Sequence, residues 1–186
     1  MSKELHTIVA LVENRPGVLN RIASRWRQRG FNIESLAVGH SETPGLSRMT
    51  FVVDAANNDV EQVVKQVDKL VDIVHIEDIT HRPTVSRELI MIKVRSNPTS
   101  RSAILQIVDI FRANIIDVTT ESLIVEATGD EQKLDSLVEL LQEFGVIELC
   151  RTGRVAMQRG AERVGQDEPN LVLPHLHGGR APGGIF

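Results

Sequence analysis

Aromatic residues make up only 3% of this 186-residue chain, with five Phe, one Trp and no Tyr. A core must therefore come from Val, Ile and Leu, a composition that favours sheets covered by helices. The same scarcity argues against a base-stacking RNA surface, which needs aromatic side chains on its central strands. Positive charge is also short, with 21 Lys and Arg against 25 Asp and Glu and a net charge of −4. Such a balance does not suit the phosphates of a nucleic-acid partner. The single cysteine, Cys150, excludes an intrachain disulfide framework and a Cys-rich metal site. No apolar run approaches the length needed to span a bilayer, and the opening "MSKELHT" has no signal-peptide core, so no membrane partner and a cytoplasmic location are expected.

What the chain does contain is regular alternation. Residues 5–12, "LHTIVALV", are apolar and β-branched and predict a buried strand. Pro16 and Gly17 then open a helix in which Val18, Leu19, Ile22, Ala23 and Trp26 recur at three- and four-residue steps. Arg21, Arg25, Arg27 and Arg29 lie largely off that stripe, and Gly30 stands where a C-terminal cap belongs. "FNIESLAVGH" predicts a second strand, "SETPG" a turn and "LSRMTFVVDA" a third strand. A helix follows from about residue 57, capped by Asn58 or Asp59, and "IVHIEDITH" closes a fourth strand. The order β-α-β-β-α-β over residues 3–81 is ferredoxin-like, and "RPTVS", 82–86, reads as a connector.

The pattern then repeats over residues 87–159, from "RELIMIKVRS" to "VIELCRTG". The endings "KLVDIVHIEDI" and "LLQEFGVIELC" align, whereas the openings "VENRPGVLNRIA" and "VRSNPTSRSAIL" do not. The expected fold is thus α+β, two tandem ferredoxin-like domains, with a site in one copy that the other lacks. Residues 160–186 hold six Gly and three Pro and read as a flexible, disordered tail.

The first strand-to-helix turn carries the most suggestive chemistry. A helix N-terminus offers unpaired N–H groups and a partial positive charge, which suit a carboxylate or phosphate. Gly17 removes the side chain that would keep a ligand away, and Asn14 can cap the helix or donate to that ligand. The same residues also make an ordinary strand-to-helix turn, and spacing alone does not choose. Asn32 is unusual in a strand but can equally complete the exit from the helix.

"LVENRPGVLNRIASRWRQRGFNIESLAVG" followed by "LSRMTFVV" resembles the N-terminal ACT domain of the small, regulatory subunit of acetohydroxyacid (acetolactate) synthase. "SRELIMIKV", "IFRANIIDVTTESLIVEATG" and "RTGRVAMQRG" resemble the same family's C-terminal domain, so the resemblance covers about residues 3–160. It implies a regulatory chain without catalytic residues, metal or cofactor of its own. Thiamine diphosphate, Mg²⁺ and FAD would belong to a separate catalytic subunit, which this chain would activate and subject to feedback inhibition by valine or another branched-chain amino acid. It further implies an ACT-domain dimer with the effector at its interface. Carried over by position, Asn14, Pro16, Gly17 and Val18 of one protomer and Asn32 of the other would form the site. Leu36, Val38 and Gly39 would complete its wall, Gly39 standing where some members carry Ala. An ACT-domain sensor regulating a different enzyme is the alternative.

The remaining candidates point to no chemistry. His175 and His177 sit among Gly and Pro that supply no outer shell for a metal. His40, His75 and His81 read as surface residues, Cys150 as a small core residue, and the arginines of the first helix as a solvated face or a docking surface. Glu34, Ser35 and His40 make no triad, because nothing provides an oxyanion hole.

Overall fold

A computed structural model describes residues 4–55 and 59–161. The first unit runs β1 (Leu5–Glu13), α1 (Val18–Gln28), β2 (Asn32–His40), β3 (Leu46–Asp54), α2 (Val60–Asp68) and β4 (Ile73–Asp78). Its antiparallel sheet has the order β2-β3-β1-β4, which leaves β2 and β4 as edges. The second unit runs β5 (Thr84–Arg95), α3 (Arg101–Ile110), β6 (Asn114–Val118), β7 (Ser122–Gly129), α4 (Glu131–Gln142), β8 (Val146–Arg151) and β9 (Val155–Gln158). Its sheet order is β6-β7-β5-β8, with β9 pairing the start of β5. The two ferredoxin-like units expected from the sequence are present.

Alternation along the strands decides which face meets the helices. In the first unit Ile8, Ala10 and Val12 of β1 join Met49, Phe51 and Val53 of β3 beneath Val18, Ile22 and Trp26 of α1 and Val63 and Val67 of α2. Trp26 is fully buried and meets Phe31 edge-on at 5.3 Å and Phe51 at 6.2 Å, so the aromatics of the first unit are gathered at one point. The end of α1 explains that pairing. Phe31 N–H donates to the Trp26 carbonyl and Gly30 N–H to that of Arg27, a Schellman closure that folds Phe31 back onto Trp26. In the second unit Ile90, Ile92 and Val94 of β5 pack with Leu123 and Val125 of β7 under Ile104, Leu134, Leu137 and Leu141. Asp59 caps α2 by accepting from Gln62 N–H, and Asp130 caps α4 by accepting from Lys133 N–H.

The structure corrects several expectations. The connector at 82–86 is only partly one, because Thr84, Val85 and Ser86 already belong to β5 and pair with Gln158, Met157 and Ala156. The β9 strand had no expectation at all. Cys150 is exposed, since β8 is an edge strand. Leu19 is 38% exposed despite its place in the apolar stripe. His40 and His81 are exposed, whereas His75 is half-buried, with Nε2 enclosed 3.8 Å from Glu77. Asn58, the pair His175 and His177, and the tail beyond Ala161 lie outside the described residues.

The two units are joined across the helix-free face of the first sheet. Ala156 of β9 packs with Val9 and Ile79. Arg48 donates through Nη2 to the Ala156 carbonyl at 2.9 Å, and Gln158 Nε2 donates to Glu77 at 2.9 Å.

Candidate functional site

The β1–α1 turn is built largely by backbone. Asn14 N–H donates to the Gly45 carbonyl at 2.9 Å, and Arg15 N–H to that of Glu13 at 2.9 Å. Gly17, at φ 85°, is the N-cap of α1, a left-handed conformation that a residue with a Cβ adopts only at a cost. No side chain caps the helix, so of the two roles open to Asn14 it does not take capping, and Pro16 stands before the helix and not in its first turn. The first turn carries no acidic residue of its own to offset the positive end of the helix. Beside it, Arg21 donates from Nε to buried Asp72 at 2.6 Å and closes the turn from below.

Asn14, Pro16 and Gly17 are exposed together at this mouth. Val18 is not available as a ligand wall, because it is buried in the core under α1. Leu36 is half-buried against that core, and Val38 is 51% exposed at the edge of the sheet. Gly39 is open, since a Cβ built there would meet nothing within 4 Å. Asn32 is exposed and donates from Nδ2 to Glu34 at 2.8 Å.

These residues do not converge within one chain. Register puts Asn32 opposite Asp54, at one end of β2, and His40 opposite Ser47, at the other. Asn14 is bonded to Gly45, just before Leu46, and so shares the His40 end. Eight residue steps of strand separate the two ends, about 26 Å. Asn14 and Gly17, which follow the inner strand β1, therefore lie at one end of the sheet, and Asn32, on the edge strand β2, lies at the other.

A cleft of about 360 Å³ opens on the helix-free face between β2–β3 and the β5–β9 ribbon. Ala37, Gly39 and Thr50 form its floor, Val155 and Met157 a wall, and Arg48 and Arg87 its cations. Burial holds the Arg48 guanidinium below its ordinary range, while Glu42 and Glu77 act to raise it. The cleft includes neither Asn14, Gly17 nor Asn32. Arg48 escaped the sequence reading because a lone arginine in an apolar strand looks like an outward, solvated residue. Among the described residues, no group of three or more His, Cys, Asp or Glu could hold a metal ion, and no helix is long and apolar enough to cross a membrane.

Comparison with known proteins covers both units. The family described as "AHAS small subunit-like ACT domain" matches residues 8–75, and that described as "Small subunit of acetolactate synthase" matches residues 87–160. The chain is 49% identical over 158 residues to a probable acetolactate synthase small subunit of Archaeoglobus fulgidus, covering 85% of this chain and 99% of that one. It is 47% identical over 165 residues to an acetolactate synthase small subunit of Mycobacterium bovis, covering 89% and 98% respectively. The crystal structure of the acetolactate synthase small subunit from Thermotoga maritima superposes with a TM-score of 0.78 at 42% identity, covering 86% of this chain and 99% of that one.

Proposed function

The chain belongs to the family of acetolactate synthase small subunits, and from that premise we propose that it raises the activity of a separate catalytic subunit and subjects it to feedback inhibition by a branched-chain amino acid, chiefly valine. In this reading the chemistry, with its thiamine diphosphate, Mg²⁺ and FAD, resides in the catalytic subunit in the cytoplasm. This chain senses the end product as a dimer joined through its ACT domain.

One observation carries the reading: Asn14 and Gly17 lie at the opposite end of β2 from Asn32, and β2 has a free edge. A second copy pairing antiparallel along that edge brings the partner's Asn32 towards the first chain's Asn14 and Gly17. A two-fold dimer then holds two such sites, each incomplete in one chain. The α1 mouth, without an acidic residue or side-chain cap, suits the carboxylate of an amino acid. The two asparagine amides can donate or accept beside it. Half-buried Leu36 and exposed Val38 offer an apolar wall for a short branched side chain, whereas the Val18 side chain is buried and Val18 meets the ligand only through the helix mouth. Because the effector is shared between chains, it favours whichever dimer geometry binds it more tightly, and only that difference can be passed to a bound enzyme.

Calorimetric titration of the full chain with valine, leucine and isoleucine tests this. The expected result is saturable binding near one ligand per chain, lost in Asn32→Ala, with activation of the catalytic subunit retained by that variant. Loss of activation together with binding would make Asn32 structural. Unchanged valine binding in Asn32→Ala would remove it from the site.

A further inference from the structure

The sequence "RTGR" at 151–154 joins β8 to β9, and its Gly153–Arg154 portion lies against the edge strand of the other unit. Its start is fixed to the second sheet. Thr152 N–H donates to the Leu89 carbonyl at 3.1 Å, and Leu89 N–H donates back to the Thr152 hydroxyl at 3.1 Å. Gly153 then adopts φ 83° and comes so close to β2 that a Cβ there would stand 2.8 Å from Ser35 Oγ and 3.0 Å from the Leu36 carbonyl oxygen. Arg154 follows, and its backbone N–H donates to Ser35 Oγ at 2.8 Å.

The Arg154 side chain reaches two further elements. Nη1 donates to Thr7 Oγ1 on β1 at 3.1 Å, and Nη2 pairs with Glu131, the first residue of α4. Only 18% of that side chain is exposed, whereas Glu131 is 45% exposed, so the contact with Thr7 is sheltered and the ion pair with Glu131 is open to solvent on one side. Arg151 holds Asp135, one turn further along α4, and lies 3.5 Å from Glu88 on β5. One short segment thus touches β2 and β1 in the first unit and the N-terminal half of α4 in the second.

Its position on β2 gives these contacts their meaning. Ser35 and Leu36 lie between Asn32 and the pair Val38 and Gly39, in the middle of the strand that the effector reading places at the dimer interface. An effector that draws on Asn32 engages β2 three residues from Ser35, where Gly153 runs so close to the strand that no side chain would fit between them. Arg154, bonded to Ser35 through its N–H and to Glu131 through its guanidinium, is the link from this part of β2 to α4.

We propose that Arg154, seated by Gly153, is the positioning residue that holds the effector-bearing strand β2 in place and couples its movement to α4 of the second domain. This rests on the effector reading above but adds a path for the signal, and that path is testable by itself. It also gives a physical role to "RTGR", one of the segments that carries the family resemblance.

The test uses the full chain and the holoenzyme reconstituted with the catalytic subunit. In Arg154→Ala, amide exchange of residues 35–38 and 131–135 is expected to accelerate together, by about tenfold or more, with the helix cores of both units unchanged. Valine binding by calorimetry is expected to stay within about threefold of wild type, while half-inhibition of the holoenzyme needs about tenfold more valine. Arg154→Lys, which keeps the charge opposite Glu131, is expected to recover part of the coupling. Glu131→Gln gives a milder break of the same link should Arg154→Ala fold poorly. Exchange and inhibition unchanged from wild type in both Arg154→Ala and Glu131→Gln would overturn the proposal. So would binding, activation and inhibition falling in parallel in Glu131→Gln, which would make the contact merely structural. A wild-type chain that binds no valine would instead remove the effector reading, and the exchange measurement would still decide the coupling.

Discussion

Replacing Gly153 by Ala should unfold more of the stability of this protein than its size suggests, and the structure supplies the reason in two parts. The first is backbone. At φ 83° an L-residue pays about 1–2 kcal/mol that glycine does not. The second is space. The new methyl would stand 2.8 Å from Ser35 Oγ and 3.0 Å from the Leu36 carbonyl oxygen. A serine hydroxyl can rotate away, but the carbonyl belongs to the backbone of β2, so the strand or the 152–154 segment must move. Forcing one methyl into a packed site costs about 1–3 kcal/mol, which brings the expected loss to about 2–5 kcal/mol. Two other glycines serve as controls. Gly17→Ala shares the left-handed φ, at 85°, but its methyl meets only the far end of Arg21 at 3.3 Å, so the backbone cost of about 1–2 kcal/mol should stand alone. Gly39→Ala meets nothing within 4 Å and should stay within about 0.5 kcal/mol of wild type. Urea denaturation of the four chains at 25 °C decides the ranking. A Gly153→Ala chain no less stable than Gly17→Ala would show that β2 and the 152–154 segment are not in contact, and the coupling argument would fall with it.

Trp26→Ala removes a fully buried ring packed on Phe31 and Phe51 and should cost about 3–5 kcal/mol, read by denaturation followed with circular dichroism. Asp78 gives a pH dependence: burial acts to raise its pKa, but hydrogen bonds from Thr80 and His6 prevail and hold it below the ordinary value. A depressed folded-state pKa stabilises above the unfolded value of about 3.9 and is lost as pH falls through the folded value. Asp78→Asn should therefore be destabilised at neutral pH, with the difference from wild type shrinking in denaturation series taken below about pH 4. Cys150 is free and exposed, so a thiol-specific chromogenic disulfide should titrate one thiol per chain in the folded protein. Reaction only after unfolding would return Cys150 to the core.

How far the fold could be read from the sequence follows from where periodicity is strong. Apolar steps of three and four in α1 and α2, and the long β-branched runs of β1, β3 and β5, announce themselves within a dozen residues. The β9 strand does not. Its four residues, Val155–Gln158, are too short to show a period, and their partners Thr84–Arg87 lie about seventy positions upstream. Those partners look like a connector for the same reason. Cys150 was misplaced because a small apolar residue in a strand suggests burial, whereas exposure depends on β8 being an edge, a property of sheet order alone. The candidate site is legible as residue types but not as geometry. Asn14, Gly17 and Asn32 could be picked out, yet Val18 pointed inward under α1, and the separation of Asn32 from the turn appears only once β2 and β3 are in register.

That separation makes the central claim directly testable with two inactive chains. Asn14→Ala and Asn32→Ala should each bind no valine as homodimers. Mixed and re-equilibrated, they should form heterodimers in which one site has lost both asparagines and the other has lost neither, as an isologous pairing requires. Calorimetry of an equal mixture should then recover about a quarter of the wild-type binding capacity at wild-type affinity. A mixture that binds no more valine than its components, with heterodimers present by mass spectrometry, would contradict a site shared between chains.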